Sequence, residues 1–297
     1  NQLKKLDKKS KYKVFINSSL KKGSLTYGEK LFKGKFKKEI FFSTYICHPS
    51  LANNEVSGPS LCAFLMKYLE NKKYTNFSYR FTFVPETIGS IAYVSKNLKV
   101  LKKNVIAGYN ITCVGDDNSY SFLKPKYKNT IAEEIALHVL KDKKIKYKTY
   151  DFKFRGSDER QYSSPGVDLP FVSVMRSKYA EYPEYHNSDD NLNFISPQGF
   201  QGSFDIYTNI IEAIESLCRP KSIILCEPFM SKRNLRPERY ENIYINENSK
   251  DLMDVLTYCD GINSNLDIAN LLDMSIFKIN ELIKILKRNG VIKIDDF

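Results

Sequence analysis

No stretch of eighteen or more apolar residues occurs in the 297-residue sequence, which excludes a membrane-spanning helix. No secretory leader pattern follows Asn1, and with a first residue other than Met the chain is expected to be the later part of a longer protein. The six cysteines form no Cys-x-x-Cys pair, so a thiolate zinc knuckle is not expected; Cys47, Cys62, Cys113, Cys218, Cys226 and Cys259 read as buried free thiols of a cytoplasmic protein. Acidic residues are almost missing from positions 1–38, which hold thirteen Lys against Asp7 and Glu29. Nearly all of the formal net charge of +12 therefore sits in that segment. Its lysines alternate with β-type residues in Lys11-Tyr12-Lys13-Val14-Phe15-Ile16, the pattern of a strand over 11–17 with a wet face, a polyanion-binding surface being the alternative. Internal repeats and low-complexity linkers are absent.

What is present is an alternation of strand and helix. Strands are expected at 11–17, 39–46, 78–84, 104–113, 147–153 and 170–175, with an extended stretch at 119–123. Helices are expected at 58–71, 88–97, 129–141 and 196–218, the last opened by Ser196-Pro197. That order indicates a mainly parallel sheet with helices on both faces. After an irregular stretch at 221–250 come three helical patterns, Leu252–Tyr258, Leu266–Leu272 behind Ser264, and Ile276–Arg288 between Ser275 and Asn289-Gly290. Val291–Ile294 then reads as a β wing. The chain is thus expected to divide into an α/β domain over 1–220 and a linker with a winged helix over 221–297.

Three stretches carry chemistry. In the first, a buried strand runs into Ile46-Cys47-His48-Pro49-Ser50-Leu51-Ala52-Asn53-Asn54-Glu55-Val56-Ser57-Gly58, where Ser57 can cap the next helix. The second strand ends in Pro85-Glu86-Thr87-Ile88-Gly89-Ser90, and the third stretch is Glu184-Tyr185-His186-Asn187-Ser188-Asp189-Asp190. In open α/β sheets ligands bind beyond the carboxyl ends of strands. A His, a Glu and a His delivered there are the ligand types zinc takes.

These stretches, with Gly23-Ser24-Leu25-Thr26-Tyr27-Gly28-Glu29 and Gly156-Ser157-Asp158-Glu159-Arg160-Gln161-Tyr162, resemble the zinc aminopeptidase family that also holds glutamate carboxypeptidases and glutaminyl cyclases. More specifically they resemble bacterial proteins with an aminopeptidase-like domain and a C-terminal winged helix, often encoded among surface-polysaccharide genes. The resemblance implies a three-layer α/β/α fold and one or two zinc ions. It implies His48, Glu86 and His186 as ligands and Glu86 as general base; Asp116 or Asp117, in the loop after Thr112, could supply a replacement ligand. Asn54, Asp158, Arg160 and Tyr185 would line the substrate site, with Arg155 or Arg160 holding a substrate carboxylate. The sequence departs from the pattern in three places. The metal-bridging Asp is Asn54, with Glu55 next to it expected to point elsewhere; the Glu-Glu pair is reduced to Glu86; and a ligand Asp is Thr112.

The expected activity is hydrolysis of a small peptide or amide. A catalytically impaired descendant that binds a ligand or protein is the alternative, and a homo-oligomer is left open. A nucleic-acid-binding regulator fits less well: residues 250–297 carry six basic and eight acidic side chains, whereas a phosphate-binding face needs a positive stripe.

Overall fold

The computed structural model describes residues 5–7, 9–48, 50–233, 235 and 247–296. Strand β2 (Glu39–Tyr45) is buried along its whole length, as a continuous apolar run at the centre of a covered sheet must be. It lies between β3 (Ser78–Val84) and β4 (Val105–Asn110), parallel to both. Beyond β4 come β7 (Phe171–Met175), parallel to it, then β5 (Ser121–Leu123), antiparallel to β7, and β6 (Lys148–Tyr150). At the other edge β1 (Gly28–Phe32) runs antiparallel to β3, giving the order β1-β3-β2-β4-β7-β5-β6.

Helices cover both faces. On one, α1 (Ser57–Asn71), α3 (Ile131–Asp142) and α5 (Pro197–Glu215) pack together over Phe42, Tyr79, Phe81 and Tyr109. On the other, α2 (Ile88–Asn104) and the short α4 (Glu159–Tyr162) cover Phe41, Tyr93, Tyr162 and Phe171. The close approach of α1 to the sheet requires Gly58, where a Cβ would stand 2.3 Å from Thr44 Oγ1 and 2.4 Å from the Ile111 carbonyl oxygen. This is the three-layer α/β/α arrangement expected.

Several local expectations are corrected. Residues 11–17 form no strand: Val14, Phe15 and Ile16 are 80%, 83% and 78% exposed, and no strand of the described residues pairs with them. A β-type pattern becomes a strand only where a partner supplies hydrogen bonds. Helix α2 continues to Asn104, past the expected end at 97, because Leu101 still reaches the core. Ser57 does not cap α1; the chain enters the helix through a π-helical turn, Ala52–Val56, and the Ser57 hydroxyl donates to the Asn53 carbonyl instead.

The C-terminal part is a winged helix of α6 (Glu247–Thr257), α7 (Asn265–Leu271), α8 (Ile276–Arg288) and a ribbon of β8 (Cys218–Ser222) with β9 (Ile292–Asp296). Strand β8 falls at the start of the stretch expected to be irregular; of the rest, residues 234 and 236–246 lie outside the described residues. The Ser264–Asp267 capping box and the Ser275 cap open α7 and α8 as expected. The module shares one continuous apolar core with the α3–α5 face. His138 on α3 seals the junction: its Nε2 accepts from the Ile276 amide at 2.9 Å and its Nδ1 meets Asn270 Oδ1 at 3.0 Å.

Candidate metal and substrate site

At the carboxyl edge of the sheet the ends of β2, β3 and β4 open onto one another. Three of the turns there contain a non-glycine residue in the left-handed region: Thr87 after β3 (φ 64), Cys113 after β4 (φ 52) and His186 in the loop after β7 (φ 57). Each such residue costs about 1–3 kcal/mol and persists only where its surroundings enforce it, which happens most often at functional sites. The π-helical turn at 52–56 is a fourth irregularity, of a kind also concentrated at such sites.

The structure brings His48 and His186 together. Their ring centroids are 5.1 Å apart, and Tyr185 stacks on His186 at 3.9 Å and 13°. Burial, then the neighbouring His48, pushes the His186 pKa down, which favours the neutral, metal-binding imidazole. Glu86 borders the same space: Glu55, Tyr45 and Tyr185 all lie within its electrostatic reach. Burial is the main cause of its raised pKa; Ser157 and Arg160 pull the other way, and Glu55 and Glu159 add to the rise. A partly buried carboxyl group shifted upward suits a general base.

Glu55 is the main surprise. It was expected to point away from the site, yet the wide π-helical turn buries both Asn54 and Glu55 and folds the Glu55 carboxylate under the His48 loop. Its Oε1 accepts from the backbone amides of Cys47 and His48, the latter at 2.7 Å, and its Oε2 lies 3.2 Å from His48 Nδ1. The Cys47 Sγ is 3.3 Å from the same nitrogen. Cys47 is exposed, as is Cys226, which corrects the reading of all six cysteines as buried. Burial of its sulfur, despite the exposed residue, holds the Cys47 thiol up at about 12. Among the described residues, ligand-type atoms of Cys47, His48 and Glu55 all lie within 4.8 Å of one another.

Other candidates serve different ends. Asp116 is fully buried and its carboxylate is committed: Oδ2 accepts from Asn53 Nδ2 (2.9 Å) and the Ser177 amide (3.0 Å), Oδ1 from Ser177 Oγ (2.8 Å) and the Asn118 amide (3.1 Å). It ties loops together, which corrects its reading as a replacement ligand. Asn54 donates to the Tyr45 hydroxyl at 2.9 Å, while its Oδ1 is buried without a hydrogen-bond partner. Thr112, in the place of a ligand Asp, donates to the Asn54 carbonyl at 2.8 Å. Asp158 Oδ1 accepts from the Thr87 amide and Ser90 Oγ, both at 2.8 Å, and so holds the turn that presents Glu86. Burial raises the Asp158 pKa to about 7, against the pull of those two donors. Arg160 Nη2 donates to Thr87 Oγ1 at 2.6 Å, and its Nε has no hydrogen-bond partner; Arg155 is exposed on the loop before α4.

Asp190 was not singled out from the sequence. Buried beneath the π-helical turn, it accepts from the amides of Asn53 (2.6 Å) and Asn54 (3.0 Å) and fixes the start of that turn. The second Asp of Ser188-Asp189-Asp190, in a loop otherwise exposed, was the available signal.

The donor set fits one cation better than two. A thiol, an imidazole and a carboxylate converge at His48, and Asn54 offers an orphaned amide oxygen. Among the described residues no carboxylate bridges two such groups, as a pair of cations would need.

Residues 6–217 match a family described as a domain of unknown function, DUF4910, and residues 218–294 match a winged helix-turn-helix. A Clostridium acetobutylicum protein, whose name describes a polysaccharide biosynthesis protein with an aminopeptidase-like domain, is 39% identical over 95% of this chain and 65% of its own length. A crystal structure of a candidate peptidase from the same species superposes with a TM-score of 0.84 at 38% identity, over 93% of this chain and 62% of that one. The chain thus spans less than two thirds of these relatives. A zinc aminopeptidase from Bacillus subtilis (TM-score 0.53, 18% identity, 63% of this chain and 49% of that one) shares the fold. So does a glutaminyl cyclase from an Acidobacteriales bacterium (0.52, 17%, 64% and 73%).

Proposed function

Because the chain belongs to the DUF4910 family, with an aminopeptidase-like fold that continues into a winged helix, we propose that it is a metal-dependent hydrolase of a peptide or amide bond next to a free amine. The observation that carries this reading is the facing pair His48 and His186, 5.1 Å apart between rings, at the carboxyl edge of the sheet, with Glu86 in electrostatic reach of Glu55, which contacts His48. Zinc held in that cleft would polarise a scissile carbonyl and acidify a water. The protein's own part is positional. Asp158 fixes the Thr87 turn next to Glu86, which in this reading accepts a proton and returns it to the leaving amine. Arg160, anchored on Thr87 through Nη2, keeps Nε for a substrate carbonyl or carboxylate. Tyr185, stacked on His186, restricts that ring to one orientation and walls the cleft.

One set of observations favours a second reading, a descendant that binds a ligand without turning it over. Asn54 and Thr112 stand where the resembling family places carboxylates, which removes negative charge from the site. The two readings separate on turnover of a panel of aminoacyl amides by dialysed protein. Hydrolysis that chelation abolishes and zinc restores supports the hydrolase; no hydrolysis of any substrate by zinc-loaded protein supports the binder.

A further inference from the structure

We propose that Cys47, His48 and Glu55 form a single, thiolate-containing cation site, with His186 facing its open side. This deepens the hydrolase reading and rests on it only for the use made of the ion. Three side chains from two adjacent turns place Sγ, Nδ1 and Oε2 together: sulfur to nitrogen is 3.3 Å and nitrogen to oxygen 3.2 Å. Zinc bonded tetrahedrally at about 2.3 Å to sulfur and about 2.1 Å to nitrogen and oxygen separates its ligands by about 3.6 and about 3.4 Å respectively. Those two pairs therefore need to open by only a few tenths of an ångström, and sulfur and carboxylate oxygen already lie within 4.8 Å. One sulfur, one nitrogen and one oxygen select zinc or cobalt over magnesium or calcium.

The carboxylate missing at position 54 is in effect moved one residue along. The π-helical turn rotates Glu55 inward, where Oε1 is occupied by two backbone amides and Oε2 meets only His48 Nδ1, a contact that a shared cation would replace. Those amides hold the carboxylate in place, the kind of outer support that ligating carboxylates show. A cysteine nucleophile activated by histidine and oriented by glutamate is the competing use of the same three residues. The geometry disfavours it: both Sγ and Oε2 address Nδ1, whereas a relay needs the two partners on opposite ring nitrogens. His186, with its ring 5.1 Å from that of His48, stands where a fourth ligand or a substrate group would enter.

The test is cobalt(II) substitution of the full chain, read by absorption. A thiolate ligand gives an intense near-ultraviolet charge-transfer band, separate from the weaker visible bands of any bound cobalt. The band is expected in the unmodified protein and in a Cys226→Ser control, and is expected to vanish in Cys47→Ser while the visible bands remain. Glu55→Gln is expected to weaken cobalt binding by about 100-fold or more, above what loss of a group behind the ligands costs. Tight cobalt binding without the band, a band that survives Cys47→Ser, or no cobalt binding at all overturns the proposal. A band without turnover leaves the cation site standing and removes the hydrolase; turnover with zinc but no band does the reverse.

Discussion

Asp158→Asn should change the pH dependence of stability in a defined direction. Asp158 is fully buried, its Oδ2 has no hydrogen-bond partner, and its pKa in the folded protein lies at about 7, against 3.8 for the free side chain. The folded state therefore binds the proton more tightly than the unfolded chain does. Below about pH 4 both states are protonated and the group is neutral in its effect. Between about pH 4 and 7 the unfolded chain loses the proton first, so stability falls as pH rises, and above 7 the loss is complete. A shift of about three units at about 1.4 kcal/mol each sets the full loss at about 4 kcal/mol. Asparagine keeps an oxygen for the Thr87 amide and Ser90 but cannot ionise. The difference in unfolding free energy between Asp158→Asn and the unmodified protein should accordingly grow in favour of the variant by up to about 4 kcal/mol from pH 4 to pH 8. Urea unfolding at half-unit pH intervals measures it. A pH-independent difference, or one that grows in the opposite direction, would refute the assignment of Asp158 as a buried acid that holds the Glu86 turn.

Three further outcomes are expected. Glu86→Gln should lower kcat by about 10²–10⁴-fold while zinc per chain stays unchanged, as for a proton-transfer group; loss of zinc along with activity would make Glu86 a ligand instead. Because burial raises the Glu86 pKa, the acid limb of kcat/KM should lie above the 4.5 of an ordinary glutamate, and a limb at or below 4.5 would remove Glu86 as base. His138→Ala should cost about 1–3 kcal/mol by leaving the buried Ile276 amide unpaired, and should expose the β8 region to proteases; an unaltered cleavage pattern would show the winged helix held elsewhere.

The layered fold was legible because its signals are periodic and local. β2 reads as buried on both faces, α5 announces its start at Ser196-Pro197, and α7 and α8 carry their caps in the sequence. The failures share a cause: position depended on a partner distant in sequence. Residues 11–17 have a strand's pattern and no strand beside them among the described residues. The direction of Glu55 could not be read because a π-helical turn, unlike an α-helical one, leaves no periodic trace in five residues and is here pinned by Asp190, 136 positions away. Asp116 looked free in sequence only because its four donors come from Asn53, Asn118 and Ser177. His48, Glu86 and His186 could be named as candidates since strand ends are where this topology places chemistry. Cys47 was passed over as one more thiol in an apolar run.

Zinc per chain in unmodified, exhaustively dialysed protein, measured by elemental analysis, bears most directly on the central claim. One carboxylate at Glu55 and an amide at Asn54 lead to a value of about one, rising towards two in Asn54→Asp, where a bridging carboxylate is supplied. Two zinc ions without that substitution, or none in either protein, would contradict the account.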